Sequence, residues 1–187
     1  MNGTAGPPAK PDAAVPRTIV LVGFMAAGKS TVGRSLARAL DWRFRDLDDE
    51  IERHTGLRVP DLFRTRGEHA FRQLERELTA RLLHEPRMVV APGGGWAAQL
   101  GVMESLPPGV LTVWLRVSAE EAVRRARAEG VTRPLLEVAD VLTTAKSLMA
   151  AREACYALAH AAVAVDDRSP DEVVAAILGI LTTQAGA

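Results

Sequence analysis

A chain of 187 residues that is 48% hydrophobic and 25% charged has the composition of one ordinary globular domain with a substantial core. Its formal net charge is zero, which removes the electrostatic case for nucleic acid or a membrane surface as partner. The single cysteine, Cys155, excludes an intrachain disulfide and a multi-cysteine metal site, and no apolar run reaches the ~18 residues of a membrane span.

The opening stretch "MNGTAGPPAKPDAAVPRT" is too rich in Pro, Gly and Ala to pack, so residues 1–17 are expected to be a disordered tail. A single domain is expected over 18–183, with 184–187 as a short C-terminal tail. "TIVLV" from Thr18 is a β-branched run that fits a buried parallel strand, and "STVGRSLARAL" spaces Val32, Leu36 and Leu40 as one helix face. "RFRDLDDEIERHTG" reads as a short strand turning into a helix that Gly56 stops. "VPDLFRTRGEHAFRQLERELTARLLHE" reads as two helical pieces separated around Gly67, and "RMVVAPGGG" as a strand entering a glycine loop. "GVLTVWLRV" is a further strand, after which Ser118 caps the helix "AEEAVRRARAEG". Pro134 interrupts the next segment; a helix of roughly Leu142 to His160 follows, then the strand "AVAVD" and a final helix capped at Ser169 with Pro170 first. Strands alternating with helices predict an α/β fold, a parallel sheet covered on both faces that binds ligands at the carboxyl ends of its strands.

Gly23 to Ser30, "GFMAAGKS", satisfies G-x-x-x-x-G-K-[ST] at every fixed position. Successive backbone N–H groups at the start of a helix make an anion-binding concavity, Lys29 reaches the outer phosphates, and the Ser30 hydroxyl suits Mg²⁺. Lys29 is one of only three lysines in the chain. Ala26 and Ala27 occupy free positions and matter only where the backbone needs φ > 0. The only asparagine is Asn2, so the guanine-reading Asn-Lys-x-Asp of a GTPase is missing, and a small-molecule or nucleotide kinase remains. Asp46 and Asp48 flank Leu47 at a strand end, where carboxylates can support a metal through water and accept a proton. Asp49 and Glu50 suit an acidic helix N-terminus. Arg72, taken alone, reads as a solvated helix charge. Gly93, Gly94 and Gly95 permit close backbone approach to a small ligand, or form a surface turn. Arg133 lies in a segment, about 130–140, that could act as a mobile lid and bring a guanidinium to a transferring phosphoryl group.

Together "GFMAAGKST", "DLDDEIE", "GEHAFRQLE", "PGGG", "TRPLL" and "REACY", in this order, resemble the shikimate kinase family from about Thr18 to Leu181. The resemblance implies a three-layer P-loop kinase fold of the nucleoside-monophosphate-kinase type, with a five-stranded parallel sheet in the order 2-3-1-4-5. It implies ATP-dependent phosphorylation of the 3-hydroxyl of shikimate, in aromatic amino-acid biosynthesis. ATP is the implied co-substrate and Mg²⁺ the cofactor; a cytoplasmic monomer without nucleic-acid or membrane partners is expected. Carried over by position, Gly23, Ala26, Ala27, Gly28, Lys29, Ser30 and Thr31 would cradle ATP, with Ser30 and Asp46 at the metal. Asp48 would bind shikimate hydroxyls and accept the proton. Arg72 and Arg152 would grip the carboxylate, while Gly93, Gly94 and Gly95 would approach the substrate. Arg133 would be the lid arginine, and Arg125, Arg168 and Pro170 would flank the adenine. Four positions depart from the family pattern: Ala26 where glycine is usual, Leu47 where Thr or Ser is usual, Ala91 where a small polar residue is common, and a bulky Trp96. Another acceptor such as gluconate, or a kinase-like module that binds ATP without transfer, stays open as an alternative.

Overall fold

The structure, a computed structural model, describes residues 16–128 and 140–185. Five parallel strands form one sheet: β1 (Thr18–Val22), β2 (Arg43–Asp46), β3 (Met88–Ala91), β4 (Val110–Arg116) and β5 (Ala161–Ala164). Their spatial order is β2-β3-β1-β4-β5, the order expected. Every residue of β1 is buried, as a central parallel strand requires, whereas the edge strands β2 and β5 are partly open. The helices are α1 (Lys29–Leu40), α2 (Leu47–Thr55), α3 (Val59–Leu82), α4 (Ala119–Ala128), α5 (Val141–Tyr156) and α6 (Pro170–Ala185).

Strand alternation splits the core into two layers. Ile19 and Leu21 of β1, Val89 of β3 and Leu111, Val113 and Leu115 of β4 face one side, where Leu36 of α1, Val123 of α4 and Ile177 of α6 cover them. Val20 and Val22, with Met88 and Val90, face the other side against Ile51 of α2, Leu62 and Phe71 of α3, and Tyr156 of α5. Helices on both faces of a parallel sheet follow from this period of two.

The helix punctuation obeys the local chemistry. Gly56, in the left-handed region at φ 69°, ends α2. Gly67 breaks α3 internally at φ 77°, ψ 171°, where the two helical pieces were expected to part. Ser118 Oγ accepts the Glu121 N–H at 3.2 Å, and Ser169 and Glu172 cap each other at the start of α6. Of the expected tail, Arg17 is already tied to the sheet, its N–H bonded to Gly109 O at 2.8 Å and its carbonyl to Arg87 N at 2.7 Å.

Three boundaries differ from the sequence reading. The strand β5 covers 161–164 rather than 162–166, α5 stops at Tyr156 rather than His160, and a short 3₁₀ turn occupies Trp96–Ala98. His160 explains the early stop of α5. Its Nδ1 accepts the Thr112 N–H at 3.1 Å and lies 2.7 Å from the Thr112 hydroxyl, while its own N–H donates to that hydroxyl at 3.0 Å. The chain is thereby pulled out of the helix and onto β4. Burial holds the His160 pKa below its ordinary value, so the folded protein keeps the imidazole neutral. The unfolded chain binds that proton more readily, so this contribution is fully present above the unfolded value of about 6.5 and is lost as pH falls from there through the lower folded value. Thermal melts at pH 7.5 and 5.5 are expected to show a smaller pH-dependent loss for His160→Asn, which keeps an acceptor and cannot protonate. Equal losses in the two proteins would refute this role.

Candidate active site

The carboxyl ends of β1, β2 and β3 meet at one cleft, and each contributes a different chemistry. After β1 the phosphate loop turns into α1 through Gly28, at φ 87°. Ala26 also takes a left-handed backbone, at φ 56°, so the alanine does adopt the conformation that glycine holds without strain. This conformation costs an L-residue on the order of 1 kcal/mol. Ala26→Gly is expected to raise Tm by about 1–3 °C once the greater freedom of unfolded glycine is deducted. Calorimetry giving an unchanged or lower Tm would contradict the strain.

Lys29 Nζ donates to the carbonyls of Gly23 at 3.0 Å and Phe24 at 2.8 Å, which holds the ammonium over the loop. Thr31 follows on the first turn of α1. Ser30 Oγ donates to Asp46 Oδ2 in a short hydrogen bond, joining the loop to the end of β2. Asp46 has a second task, since its Oδ1 accepts the Asp48 N–H at 3.1 Å and caps α2. A hydroxyl and a carboxylate side by side form a hard oxygen donor pair. That pair fits Mg²⁺, which typically takes one or two protein oxygens and fills its octahedron with phosphate and water. Among the described residues no cluster of three or more His, Cys, Asp or Glu could hold a metal without such partners.

Asp48 is exposed at the start of α2, with its carboxylate facing the position a Gly93 side chain would take. Desolvation raises its pKa, Asp46 raises it further, and the Lys29 charge opposes both. Asp49 and Glu50 behave as the helix-terminus reading expected, pairing with Arg34 at 3.8 Å and Arg45 at 2.8 Å.

The glycine triplet after β3 is the hinge of the site, because each member has a neighbour where a side chain would be. A Cβ on Gly93 would lie 2.6 Å from Glu75 Oε1 and 3.9 Å from Asp48 Oδ1. On Gly94 it would lie 3.2 Å from Met25 N of the phosphate loop, and on Gly95 2.9 Å from Arg72 Nη2. The Gly94 carbonyl accepts from Arg152 Nη1 at 3.4 Å and from the Tyr156 hydroxyl. Arg72 of α3 and Arg152 of α5 therefore reach the triplet from two sides. Arg72 Nη1 also pairs with Glu75 at 2.7 Å, and its other nitrogens reach the exposed Glu68 at 3.3 Å.

A second cavity, of about 420 Å³, adjoins the loop on the far side of Gly28. Ala26, Ala27, Gly28 and Thr31 line it with Arg125, Arg168 and Pro170. Arg125 is fixed there by Glu121 at 2.6 Å and the Val165 carbonyl at 2.7 Å. Arg124, which was not expected at the site, lines the same cavity. Arg133 and the expected lid lie outside the described residues, apart from Asp140, which caps α5 through Thr143 N at 3.0 Å.

Two of the departures, Leu47 and Trp96, are core residues, 0% and 2% exposed, both packed in the layer beneath α2 and α3. Sequence reasoning missed Glu75 and Gln99. Gln99 Nε2 donates to Glu75 Oε2 at 2.7 Å, and Glu75 is 0% exposed. The only sequence signal was the i, i+3 spacing of Arg72 and Glu75, which an exposed helix pair would share.

The shikimate kinase family model matches residues 25–182. The chain belongs to the shikimate kinase family. The shikimate kinase of Nitrobacter winogradskyi is 41% identical over 165 residues, covering 88% of this chain and 77% of that protein. A shikimate kinase of Thermus thermophilus is 40% identical, covering 90% and 92%. Among solved structures, shikimate kinase from Acinetobacter baumannii in complex with shikimate superposes with a TM-score of 0.83 at 33% identity, covering 90% of this chain and 94% of that one. A gluconokinase from Sinorhizobium meliloti 1021 shares the fold at a TM-score of 0.60 and 21% identity. The matched residues include Gly28, Lys29 and Ser30 of the phosphate loop as well as Arg72, the glycine triplet and Arg152.

Proposed function

We propose that this chain transfers the γ-phosphoryl group of ATP directly to the 3-hydroxyl of shikimate, with the residues above in the following roles. The cavity beside Gly28, with Arg125, Arg168 and Pro170, takes the nucleotide, and the loop N–H groups with the positive end of α1 bind its phosphates. Ser30 and Asp46 would hold Mg²⁺, which would supply charge neutralisation at the nucleotide phosphates. Lys29 stabilises charge on the transferred group, and Arg133 is assigned the same task from sequence.

Arg72 and Arg152 bind the acceptor carboxylate, since planar guanidinium groups match carboxylates in two-point geometry. That anchors the ring with its hydroxyls toward Asp48. The Asp48 carboxylate orients one hydroxyl in line with the phosphoryl group and takes its proton as the bond forms. A raised pKa strengthens it as a base. No covalent intermediate is required, because positioning and electrostatic stabilisation carry this chemistry.

The observation that carries the reading is the glycine triplet wedged between the phosphate loop and the two arginines, with Gly94 at the loop backbone and Gly95 under the Arg72 guanidinium. Donor and acceptor sites thereby share one wall. Proton-coupled ³¹P NMR of the product tests the regiochemistry. A single phosphomonoester on the 3-oxygen is expected; phosphate on another oxygen, or free phosphate alone, would refute the proposed geometry.

A further inference from the structure

Among the described residues Glu75 is the only charged side chain that is fully buried, at 0% exposure. Its Oε2 accepts two bonds of 2.7 Å each, one from Arg72 Nη1 and one from Gln99 Nε2. Its Oε1 and the Gln99 Oε1 are buried without a hydrogen-bond partner among the described residues. A buried carboxylate with one oxygen doubly served and the other bare has been oriented by something, because the terminal torsion of Glu is broad and nearly two-fold. The Arg72 bond alone leaves the carboxylate free to turn about that contact. Gln99 supplies a second donor from another part of the chain, its amide N–H, and the two together set the plane of the carboxylate.

Gln99 presents that amide from a fixed turn. Its N–H donates to Trp96 O at 3.1 Å, and its carbonyl accepts the Val102 N–H at 3.2 Å. On the opposite side Gly93 leaves the space that Glu75 Oε1 fills. The remaining partner of Arg72, Glu68, is 69% exposed at 3.3 Å, and such a pair does little to fix a guanidinium. Arg72 is therefore aimed from below, by Glu75, and Glu75 is aimed by Gln99.

We infer that Gln99 is a positioning residue for the acceptor: through Glu75 it holds the Arg72 guanidinium where Nε and Nη2, held among the described residues only by the exposed Glu68, meet the substrate carboxylate. This rests on the shikimate reading above. Gln99 touches neither the phosphate loop nor Asp48 in any described contact, so its influence is confined to acceptor binding.

Gln99→Leu tests this, because leucine keeps the bulk and removes both the donor and the unpartnered Oε1, which limits the cost to folding. Steady-state kinetics are expected to show the shikimate KM raised about tenfold, with the ATP KM and kcat within about twofold of the parent, a loss of the size of one interaction of about 1.4 kcal/mol. In a Glu75→Gln background the same substitution is expected to change the shikimate KM by less than about twofold, since both act on one aim. An unchanged shikimate KM in Gln99→Leu overturns the inference, as does a parallel rise in both KM values with a lowered Tm, which is what simple packing would give. Additive effects in the double variant overturn it too. Parent protein that fails to turn over shikimate would instead overturn the acceptor assignment itself.

Discussion

Asp48→Asn is expected to lower kcat by about 10²–10⁴-fold while leaving ATP affinity within about twofold. The reason is positional. Asp48 lies on the first turn of α2, between the Lys29 charge and the glycine triplet, where an acceptor hydroxyl and the phosphoryl group would meet. Asparagine keeps the shape and the backbone N–H that Asp46 accepts, so the helix cap survives. It also relieves the repulsion from Asp46, Asp49 and Glu52 that raises the Asp48 pKa, so Tm should hold or rise. Turnover near the parent rate would remove Asp48 from the chemistry and leave its carboxylate as a helix-terminus charge.

Arg72→Ala is expected to raise the shikimate KM by about 10²-fold with the ATP KM little changed, the pattern of a lost charge-assisted grip on the acceptor alone. It should also lower Tm, because Glu75 would keep its buried carboxylate and lose the cation paired with it. Arg72→Lys separates these effects. A lysine returns a charge to Glu75 and part of the stability, but a point charge cannot span both Glu75 and a substrate carboxylate in planar two-point fashion. Equal KM changes for ATP and shikimate in Arg72→Ala would show that the arginine supports the fold rather than the acceptor.

The sheet was legible because its strands are β-branched runs ending in polar or glycine-rich turns, and the helices because apolar spacing and caps agree. Gly56 and Gly67 marked breaks that the backbone makes at positive φ. The end of α5 was not legible, since His160 leaves the helix for bonds to Thr112, 48 residues away. Local propensity carries no trace of that contact. The short turn at Trp96–Ala98 is too brief for any period.

At the site, the phosphate loop and paired aspartates were legible from spacing. The role of the triplet was legible only in part: its glycines approach the protein's own Glu75, Met25 and Arg72 within the distance of a side chain. Glu75 read as one more charge on a charged helix. Its burial depends on Gly93 lacking a Cβ, 18 positions along the chain, and Gln99 is joined to it only by the fold. Ala26 resolved the other way, since the sequence raised the question of its backbone and the structure answers it with a left-handed alanine.

The central claim is that one cleft couples ATP to an acidic cyclic polyol. ADP release measured with ATP and Mg²⁺, alone, with shikimate, and with gluconate, tests it most directly. Rapid ADP release that requires shikimate, with gluconate near background, is the predicted result. Release that gluconate drives as well as shikimate, or that neither acceptor stimulates, would contradict it.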